Sequence, residues 1–427
     1  MRRRLVTVGL IAAAFIALPL AALFANGAKE SGPITLNWPS IWVGKDSKAP
    51  AVAALVDQFN KANVGKIQVA VEPNPNYDAY RDKINTQIAA GQVPDIFVFN
   101  PDPTTFQYYQ GNVLMDFTKD LQGDWGSQFV PGTVKQATRD GATKSIPYEI
   151  GVTPIWYNMA LFQKAGIAAL PKTMDEFWAD CDKLKAAGIV PTSQMTGGSN
   201  AWTSMLWYSH ILASIGGPNI WDKPLFEGQV YVDAAKILQR MYQEGNTTKD
   251  AVGADANVAG GHFLSGQVAM FLNGPWYIGR VKKDAPDVYA NTKLAPLPQV
   301  AGGTFGGTIA FPLSNLAAGN TDNATKRAAV VSFLKFMTAP DNVRAISESS
   351  GSLFAIKYKV DTSKVDPLQA QFTDSLNSAA FAIPHIQFQL PAKVTAQLGQ
   401  GFGAMALGNM TPQQFVDFMH QQLLAAQ

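Results

Sequence analysis

Short apolar segments alternate with amphipathic helical segments along most of this chain. An apolar segment at 34–38 precedes a helical pattern that places Val52, Val56 and Phe59 on one face. A second apolar segment follows at 67–71, and residues 94–99 contain another apolar run. Such runs are typical of strands that helices cover on both faces of a parallel sheet. The alternation therefore predicts an α/β fold.

The length of the chain predicts two domains. It has 427 residues, whereas a single hydrophobic core stops growing at roughly 250 to 300 residues. The 34 basic and 32 acidic residues leave a formal net charge of only +2. Because this balance supplies no excess of positive charge for a phosphate backbone, we expect no nucleic-acid partner.

The N-terminus has the features of an export signal. Arginines at 2–4 precede an apolar run over 5–24 that Pro19 interrupts. This order is typical of a secretory signal peptide at 1–25, cleaved after Ala25, with 26–32 as a flexible mature N-terminus. An uncleaved membrane anchor is the alternative, since about twenty apolar residues can span a bilayer. The chain has no cysteine near the junction, so we expect no lipid anchor.

The single cysteine, Cys181, is predicted to be a core thiol. Phe177, Cys181 and Leu184 recur at helical spacing, and Thr173 with Glu176 matches a capping box at the start of that helix. One cysteine cannot form an internal disulfide.

Six segments, in order, carry a resemblance to a known family. They are AGQVPDI at 90–96, IPYE at 146–149 with WYN at 156–158, FQKAGI at 162–167, PKTMDEF at 171–177, FLSGQVAM at 263–270 with NGPW at 273–276, and FLKFM at 333–337. With these segments the chain resembles extracellular solute-binding protein family 1, the maltose-binding-protein-like substrate-binding proteins of carbohydrate ABC transporters.

The resemblance implies a type II periplasmic binding protein, in which two α/β lobes, each a sheet flanked by helices, close on a ligand at a hinge. We expect lobe 1 to comprise 33–149 and 306–349, and lobe 2 to comprise 152–299 and 354–427. The hinge crossings are then expected near 149–151, 300–305 and 350–353.

A sugar site needs flat aromatic surfaces together with groups that donate and accept hydrogen bonds. Trp276 follows the predicted strand at 268–272, where α/β sheets place ligands, and it matches a sugar-contacting tryptophan of the family. Asp102 matches an aspartate that contacts sugar hydroxyls, and Trp202 occupies roughly the place of an aromatic platform. The structural alternatives are a lid over a helix start for Trp276 and a turn residue for Asp102.

Further candidates lie beside the predicted crossings and strand ends. They are Ser40, Trp42 and Asp46 after the first strand, Tyr148 and Glu149 at the first crossing, Asn273 beside Trp276, Gly306 and Gly307 after the second crossing, and His385 and Gln387 in the second lobe. Some of them have a plain alternative: Trp42 packed under a helix, Tyr148 as a buried tyrosine, Glu149 as a surface glutamate, and Gly306 and Gly307 as a turn. Trp207 and Tyr208 are expected in the core.

The sequence argues against an enzyme and against a cofactor. Histidines at 210, 262, 385 and 420 lack the spacing of a metal site, and no nucleophile elbow is present. The enzyme alternative is a secreted glycosidase that uses Asp102 and Glu149 as paired carboxylates. Another alternative keeps the fold but binds a polyamine, iron or phosphate species.

The resemblance, together with the export signal, implies a monomeric substrate-binding component of an ABC-type importer, in the periplasm or at the outer face of the cytoplasmic membrane. It is expected to capture a mono- or oligosaccharide between its lobes. A membrane permease with a separate ATPase is the expected partner.

Overall fold

The structure of the chain is a computed structural model that describes residues 32–44, 46–101, 105–197 and 201–426. The predicted signal peptide at 1–25 and the candidate Asp102 lie outside the described residues. Within those ranges the chain forms two α/β lobes, as predicted. No helix of the described part is long and apolar enough to cross a membrane.

Helices and strands alternate along the described chain. The strands are β1 (Ile34–Ser40), β2 (Ile67–Pro73), β3 (Phe97–Phe99), β4 (Thr138–Arg139), β5 (Ala142–Thr143), β6 (Ile146–Val152), β7 (Ile155–Asn158), β8 (Val190–Thr192), β9 (Val268–Leu272), β10 (Thr292–Ala295), β11 (Gly307–Ala317) and β12 (Phe381–Ile383). The α-helices are α1 (Ala49–Ala62), α2 (Tyr77–Ala89), α3 (Asp124–Ser127), α4 (Thr133–Gln136), α5 (Met159–Lys164), α6 (Met174–Ala186), α7 (Trp202–Gly216), α8 (Gln229–Gln243), α9 (Ala256–Leu264), α10 (Ile278–Asp284), α11 (Pro286–Ala290), α12 (Ala324–Met337), α13 (Pro340–Ser350), α14 (Pro367–Asn377), α15 (Ala392–Thr395), α16 (Leu398–Ala406) and α17 (Pro412–Leu424). Short 3₁₀ helices lie at Phe106–Tyr109, Asp120–Gln122, Gly217–Asp222, Pro275–Tyr277 and Ile386–Gln389.

The first lobe is built on β1, β2, β3 and parts of β6 and β11. β1 and β2 run parallel, and β11 pairs antiparallel with both β3 and β6. α1 and α12 cover this lobe, where the Phe333 ring lies 5.5 Å from that of Trp38 and 5.0 Å from that of Phe59. Burial of apolar surface is the main favourable term in the stability of a core of this kind, and large aromatic side chains contribute much of that surface.

The second lobe is built on the sheet β10-β7-β9-β8, in which β8 and β9 are parallel and the other pairs are antiparallel. Cys181, Trp207 and Tyr208 are fully buried in its core, which confirms the predictions for these residues. The capping box of Thr173 and Glu176 is present at the start of α6. Local signals thus set the beginning of this helix, as the sequence predicts.

Three segments lie side by side where the lobes meet. β6 pairs with β11 from Val152↔Ala310 to Ile146↔Leu316, and the segment after α13 adds a hydrogen bond from the Ile150 N–H to the Leu353 carbonyl. At its other end β11 pairs in parallel with β12 of the second lobe. We call the paired strands β6 and β11 the central ribbon.

The loop before β11 is attached to the second lobe. The Val300 N–H donates to Oγ of Ser214 at 3.0 Å, and the Thr304 N–H donates to the Ser214 carbonyl at 2.7 Å. The domain bounds, including the crossing expected near 300–305, stay a prediction.

Candidate functional site

Aromatic rings from the second lobe and the central ribbon form one wall between the lobes. The Trp202 ring, at the start of α7, lies 6.2 Å from that of Trp276, 6.0 Å from that of Phe311 and 5.1 Å from that of His385. Phe388 lies 5.6 Å from Phe311 and 4.8 Å from His385. We call these five residues the aromatic wall. Trp276 is its most exposed member, with 50% of its surface accessible.

The turn after β9 fixes the position of Trp276. The side-chain oxygen of Asn273 accepts a hydrogen bond from the Gly274 N–H at 2.8 Å. The backbone carbonyl of Asn273 accepts one from Nε1 of Trp156 at 2.9 Å. A Cβ atom at Gly274 would overlap the Trp276 ring, so the indole lies directly over the glycine backbone. The candidate Asn273 therefore stabilises this turn. Position 274 has to be a glycine because the Trp276 ring approaches its backbone closely.

A cavity of about 320 Å³ lies between the lobes beside Trp276. Its lining from the first lobe and the central ribbon includes Glu149, Leu313 and Ser352, and its lining from the second lobe includes Trp276 and Asp366. One aromatic face and two carboxylates thus border the same space. This combination suits a ligand with both apolar faces and hydroxyl groups.

Glu149 is held in place by polar neighbours from its own lobe. Its Oε1 accepts a hydrogen bond from Oγ of Ser352 at 2.8 Å and lies 3.5 Å from Nζ of Lys48. Nζ of Lys48 also lies 3.6 Å from Oδ1 of Asp46, and the side chain of Lys48 is only 11% exposed. Because this charged group is largely desolvated, its members are positioned more firmly than a surface ion pair.

Asp366 is held at the opposite side of the cavity. Its Oδ2 accepts hydrogen bonds from Nζ of Lys282 at 2.9 Å and from the Tyr289 hydroxyl at 2.7 Å, and its Oδ1 caps α14 at the Leu368 N–H. Burial acts to raise the pKa of Asp366, but these hydrogen bonds outweigh it and hold the pKa below its usual value. The carboxyl is therefore ionised at neutral pH.

A second cavity of about 290 Å³ lies beside Trp202 and is more apolar. It is lined by Trp202, Phe311, His385, Gln387, Phe388, Leu390, Ala392 and Thr395. His385 is buried, and burial, with the nearby His210, lowers its pKa to about 3, so its ring is neutral at neutral pH. Nδ1 of His385 has no hydrogen-bond partner among the described residues.

Other candidates lie away from both cavities. Ser40, Trp42 and Tyr148 are buried in the first lobe, where the Trp42 ring lies 5.4 Å from that of Tyr148. Gly306 adopts a φ of +80°, and a Cβ at Gly307 would overlap the Phe381 ring. These residues support the lobe and the pairing of β11 with β12 in this structure, and their ligand-binding roles stay predictions.

The structure also brings residues to the cavities that the sequence did not single out. Phe311 and Leu313 belong to β11, Ser352 follows α13, and Asp366 caps α14. An apolar run such as 307–317 gives no sign of which side chains face a cleft. Asp366 carried a weak signal, because a carboxylate before Pro367 is a common helix cap.

One row of side chains has the order of a catalytic triad. Oγ of Ser193 lies 3.0 Å from Nδ1 of His262, whose Nε2 lies 3.1 Å from Oδ2 of Asp250. Ser193 is fully buried, so its hydroxyl cannot reach a substrate. The row is best explained as a link between the end of β8 and α9. The described residues contain no group of three or more potential metal ligands.

Comparison with known proteins gives one family match. The model of the family of bacterial extracellular solute-binding proteins matches residues 45–344. A protein of Brucella abortus (strain 2308) named as a binding protein is 25% identical over 236 residues, which make up 54% of this chain and 57% of that protein. The chain thus spans a little over half the length of the first curated relatives it matches.

A longer match to a curated relative and a match to a solved structure agree with the family match. The multiple sugar-binding protein of Streptococcus mutans is 24% identical over 331 residues, covering 74% of each chain. The crystal structure of the cyclic alpha-maltosyl-1,6-maltose binding protein of Arthrobacter globiformis matches with a TM-score of 0.72 and 19% identity, over 92% of this chain and 99% of that one. At this identity the structural match shows the fold alone.

Proposed function

The chain belongs to the family of bacterial extracellular solute-binding proteins, and on that premise we propose that it binds a carbohydrate between its lobes and delivers it to an ABC-type importer. The protein acts outside the cytoplasmic membrane. The importer's permease and ATPase are separate polypeptides.

The observation that carries the proposal is the aromatic wall beside polar groups from both lobes. Trp276 leaves half of its surface accessible, although a tryptophan of this size is usually mostly buried. Glu149 and Asp366 border the same cavity and accept hydrogen bonds. Sugars are matched by this pairing of an indole face, which takes C–H groups, with carboxylates, which take hydroxyls.

One comparison supports the class of ligand. The Streptococcus mutans relative is named for binding multiple sugars. A ligand of this class would contact the first lobe at Glu149 and the second at Trp276. It would then favour the closed arrangement, because only a ligand that touches both lobes binds that state better.

The cavity carboxylates do not favour the glycosidase alternative. A glycosidase needs one carboxyl group that is protonated near neutral pH to act as the general acid. Asp366 is held ionised by its hydrogen bonds, so it does not suit that role. The same carboxylates suit a site that only binds.

A thermal-shift panel tests the function. Purified protein is mixed with neutral mono- and oligosaccharides, and separately with polyamines, Fe³⁺ and inorganic phosphate. A sugar present at 100 times its Kd is expected to stabilise the folded state by about 2.7 kcal/mol. A rise in melting temperature with polyamine, iron or phosphate alone would overturn the proposal, and release of product from a labelled oligosaccharide would replace it with a glycosidase.

A further inference from the structure

A third cavity, of about 540 Å³, lies between the lobes. The first lobe lines it with residues between 131 and 139, and the second lobe lines it with residues between 218 and 222 and between 380 and 389. Phe388 of the aromatic wall lines both this cavity and the second one. The volume of the third cavity lies within the range of about 300 to 1,000 Å³ that small-molecule sites usually have.

Flat apolar groups form much of its wall. Trp221, Phe381 and Phe388 line the cavity together with several prolines. Nε1 of Trp221 donates a hydrogen bond to the Pro384 carbonyl at 3.0 Å, which fixes the orientation of the indole. The cavity therefore offers rigid, flat surfaces of the kind on which the C–H face of a sugar ring stacks.

The charges in the cavity are unequal. Nζ of Lys135 lies 2.6 Å from Oδ2 of Asp222 and 3.2 Å from Oδ1 of Asn219, so its charge is balanced across the lobes. Arg139 has no such partner: its Nε is buried without a hydrogen bond, and no described carboxylate forms an ion pair with it. One positive charge is thus left unbalanced among the described lining residues.

Neighbouring groups fix the orientation of the Arg139 guanidinium. It stacks over the Phe106 ring, with 3.8 Å from its Cζ to the ring centre. It lies in β4, which pairs with β5 through a two-residue turn at Asp140 (φ 50°) and Gly141 (φ 78°). Positive φ angles at both positions are typical of a type I′ hairpin turn. This short hairpin therefore fixes the backbone position from which the Arg139 side chain extends.

The surroundings of Arg139 favour binding of an anion. Burial lowers the pKa of Arg139, while Tyr109 and Asp140 act in the opposite direction, and the group stays charged at neutral pH. A partly desolvated cation that stacks on an aromatic ring but has no ion-pair partner has lost hydration and gained no ion pair in return. A bound carboxylate would supply that partner, and its planar shape matches the two parallel N–H donors of a guanidinium.

We propose that the third cavity binds the carboxylate-bearing unit of an acidic saccharide, such as a uronic acid residue, with Arg139 donating two hydrogen bonds to the carboxylate. Trp221, Phe381 and Phe388 contact the apolar face of the same unit. The assignment rests on the carbohydrate-binding function proposed above and narrows its ligand to sugar acids.

Isothermal titration of the purified protein tests the assignment. The two ligands are a short oligogalacturonide and the same oligosaccharide with its carboxylates converted to methyl esters. The wild-type protein is expected to bind the free acid about tenfold or more tighter than the ester, because a hydrogen bond to a charged group is stronger than one to a neutral group. Arg139→Gln should bring this ratio close to one and leave the affinity for the ester unchanged.

Two variants serve as controls. Lys135→Gln removes a charge from the same cavity, but this charge is already balanced, so the ratio of acid to ester affinity should be kept. Arg139→Lys keeps the charge without the planar fork, and the ratio should fall to an intermediate value. If circular dichroism shows that Arg139→Gln does not fold, the ratio of acid to ester affinity in Arg139→Lys still tests the assignment.

The outcomes separate this assignment from the general function. Equal wild-type affinity for acid and ester, or an unchanged ratio in a folded Arg139 variant, overturns the sugar-acid assignment but leaves carbohydrate binding in place if the neutral sugars of the panel bind. Displacement of the oligogalacturonide by an equal concentration of inorganic phosphate also overturns it, because the site would then recognise only an anion. If no neutral or acidic sugar binds, the carbohydrate function itself fails.

Discussion

At the scale of single residues, exposure distinguishes the tryptophans that surround the cleft. Trp42 and Trp276 both follow a strand of their lobe, yet Trp42 is 2% exposed and Trp276 is 50% exposed. Trp42 packs against Trp38 and Tyr148 and so helps to fill the first lobe. Half of the surface of Trp276 is left accessible, and this part of the indole is available to a ligand.

Replacement of Trp276 tests whether its exposed indole contacts the ligand. Trp276→Ala is expected to weaken sugar binding more than about tenfold, which corresponds to about 1.4 kcal/mol, because the indole face is lost. Folding should be retained, since half of the side chain is already in solvent. Titration calorimetry with the best sugar of the panel measures the change.

Leu407→Ala is the matched control for this variant. Leu407 is 63% exposed in the second lobe and lines none of the described cavities. Its replacement removes exposed apolar surface and should leave sugar affinity unchanged. Equal affinity of Trp276→Ala and the wild-type protein would remove Trp276 from the site.

At the scale of elements, the central ribbon connects the lobes and also supplies Phe311 to the aromatic wall. Gly151 of β6 lies opposite Phe311 of β11, and a Cβ atom added at Gly151 would lie 2.7 Å from the Phe311 ring. Phe311 in turn contacts Trp202 and His385. The absence of a side chain at Gly151 therefore sets the position of the wall.

Gly151→Ala should displace the Phe311 ring and disturb the wall. We expect a loss of about 1 to 3 kcal/mol in the free energy of unfolding, the usual effect of overpacking, together with weaker sugar binding. Urea denaturation and calorimetry measure the two effects. Gly261→Ala in α9 is the control, because no atom lies within 4 Å of its added Cβ, and it should stabilise the protein slightly. A Gly151→Ala protein with normal stability and affinity would contradict the packing argument.

The sequence predicted the elements whose signals are local. The runs at 34–38, 67–71 and 268–272 lie in β1, β2 and β9, and Thr173 caps its helix as predicted. Caps and apolar periodicity act over a few residues, so they can be recognised without knowledge of distant partners.

The candidate site was less predictable because it depends on distant pairing. β11 pairs with β3, β6 and β12, which all lie more than sixty residues away along the chain, and no local pattern specifies that register. Trp276, Trp202, Glu149, His385 and Gln387 were candidates and line the cavities. Phe311 was missed because its apolar strand reads as ordinary core. Asp102 lies outside the described residues.

At the scale of the whole molecule, contacts across the lobes bear on how the cleft closes. The Ala382 N–H of the second lobe donates to the Pro131 carbonyl of the first, and Lys135 pairs with Asp222. That ion pair is about half exposed on both sides, so it contributes little to stability. Such contacts can accompany closure, but a ligand that bridges the lobes has to provide most of the free energy for it.

Small-angle X-ray scattering tests closure directly. A saturating sugar is expected to lower the radius of gyration of the wild-type protein, because a ligand held by Glu149 and Trp276 favours the closed state. To move a closed-to-open ratio from 1:99 to 99:1, the ligand has to bind the closed form about 10⁴-fold more tightly, which is about 5.5 kcal/mol. A sugar that does not bind in the panel is the control and should leave the scattering unchanged.

Trp276→Ala then tests which contacts drive closure. At a sugar concentration that saturates the variant, binding would rest mainly on the first lobe, and the radius of gyration should stay near that of the free protein. If the variant compacts as fully as the wild-type protein, the second lobe holds the ligand without Trp276. If neither protein compacts while sugar is bound, binding and closure are uncoupled, and the two-lobe mechanism is wrong for this chain.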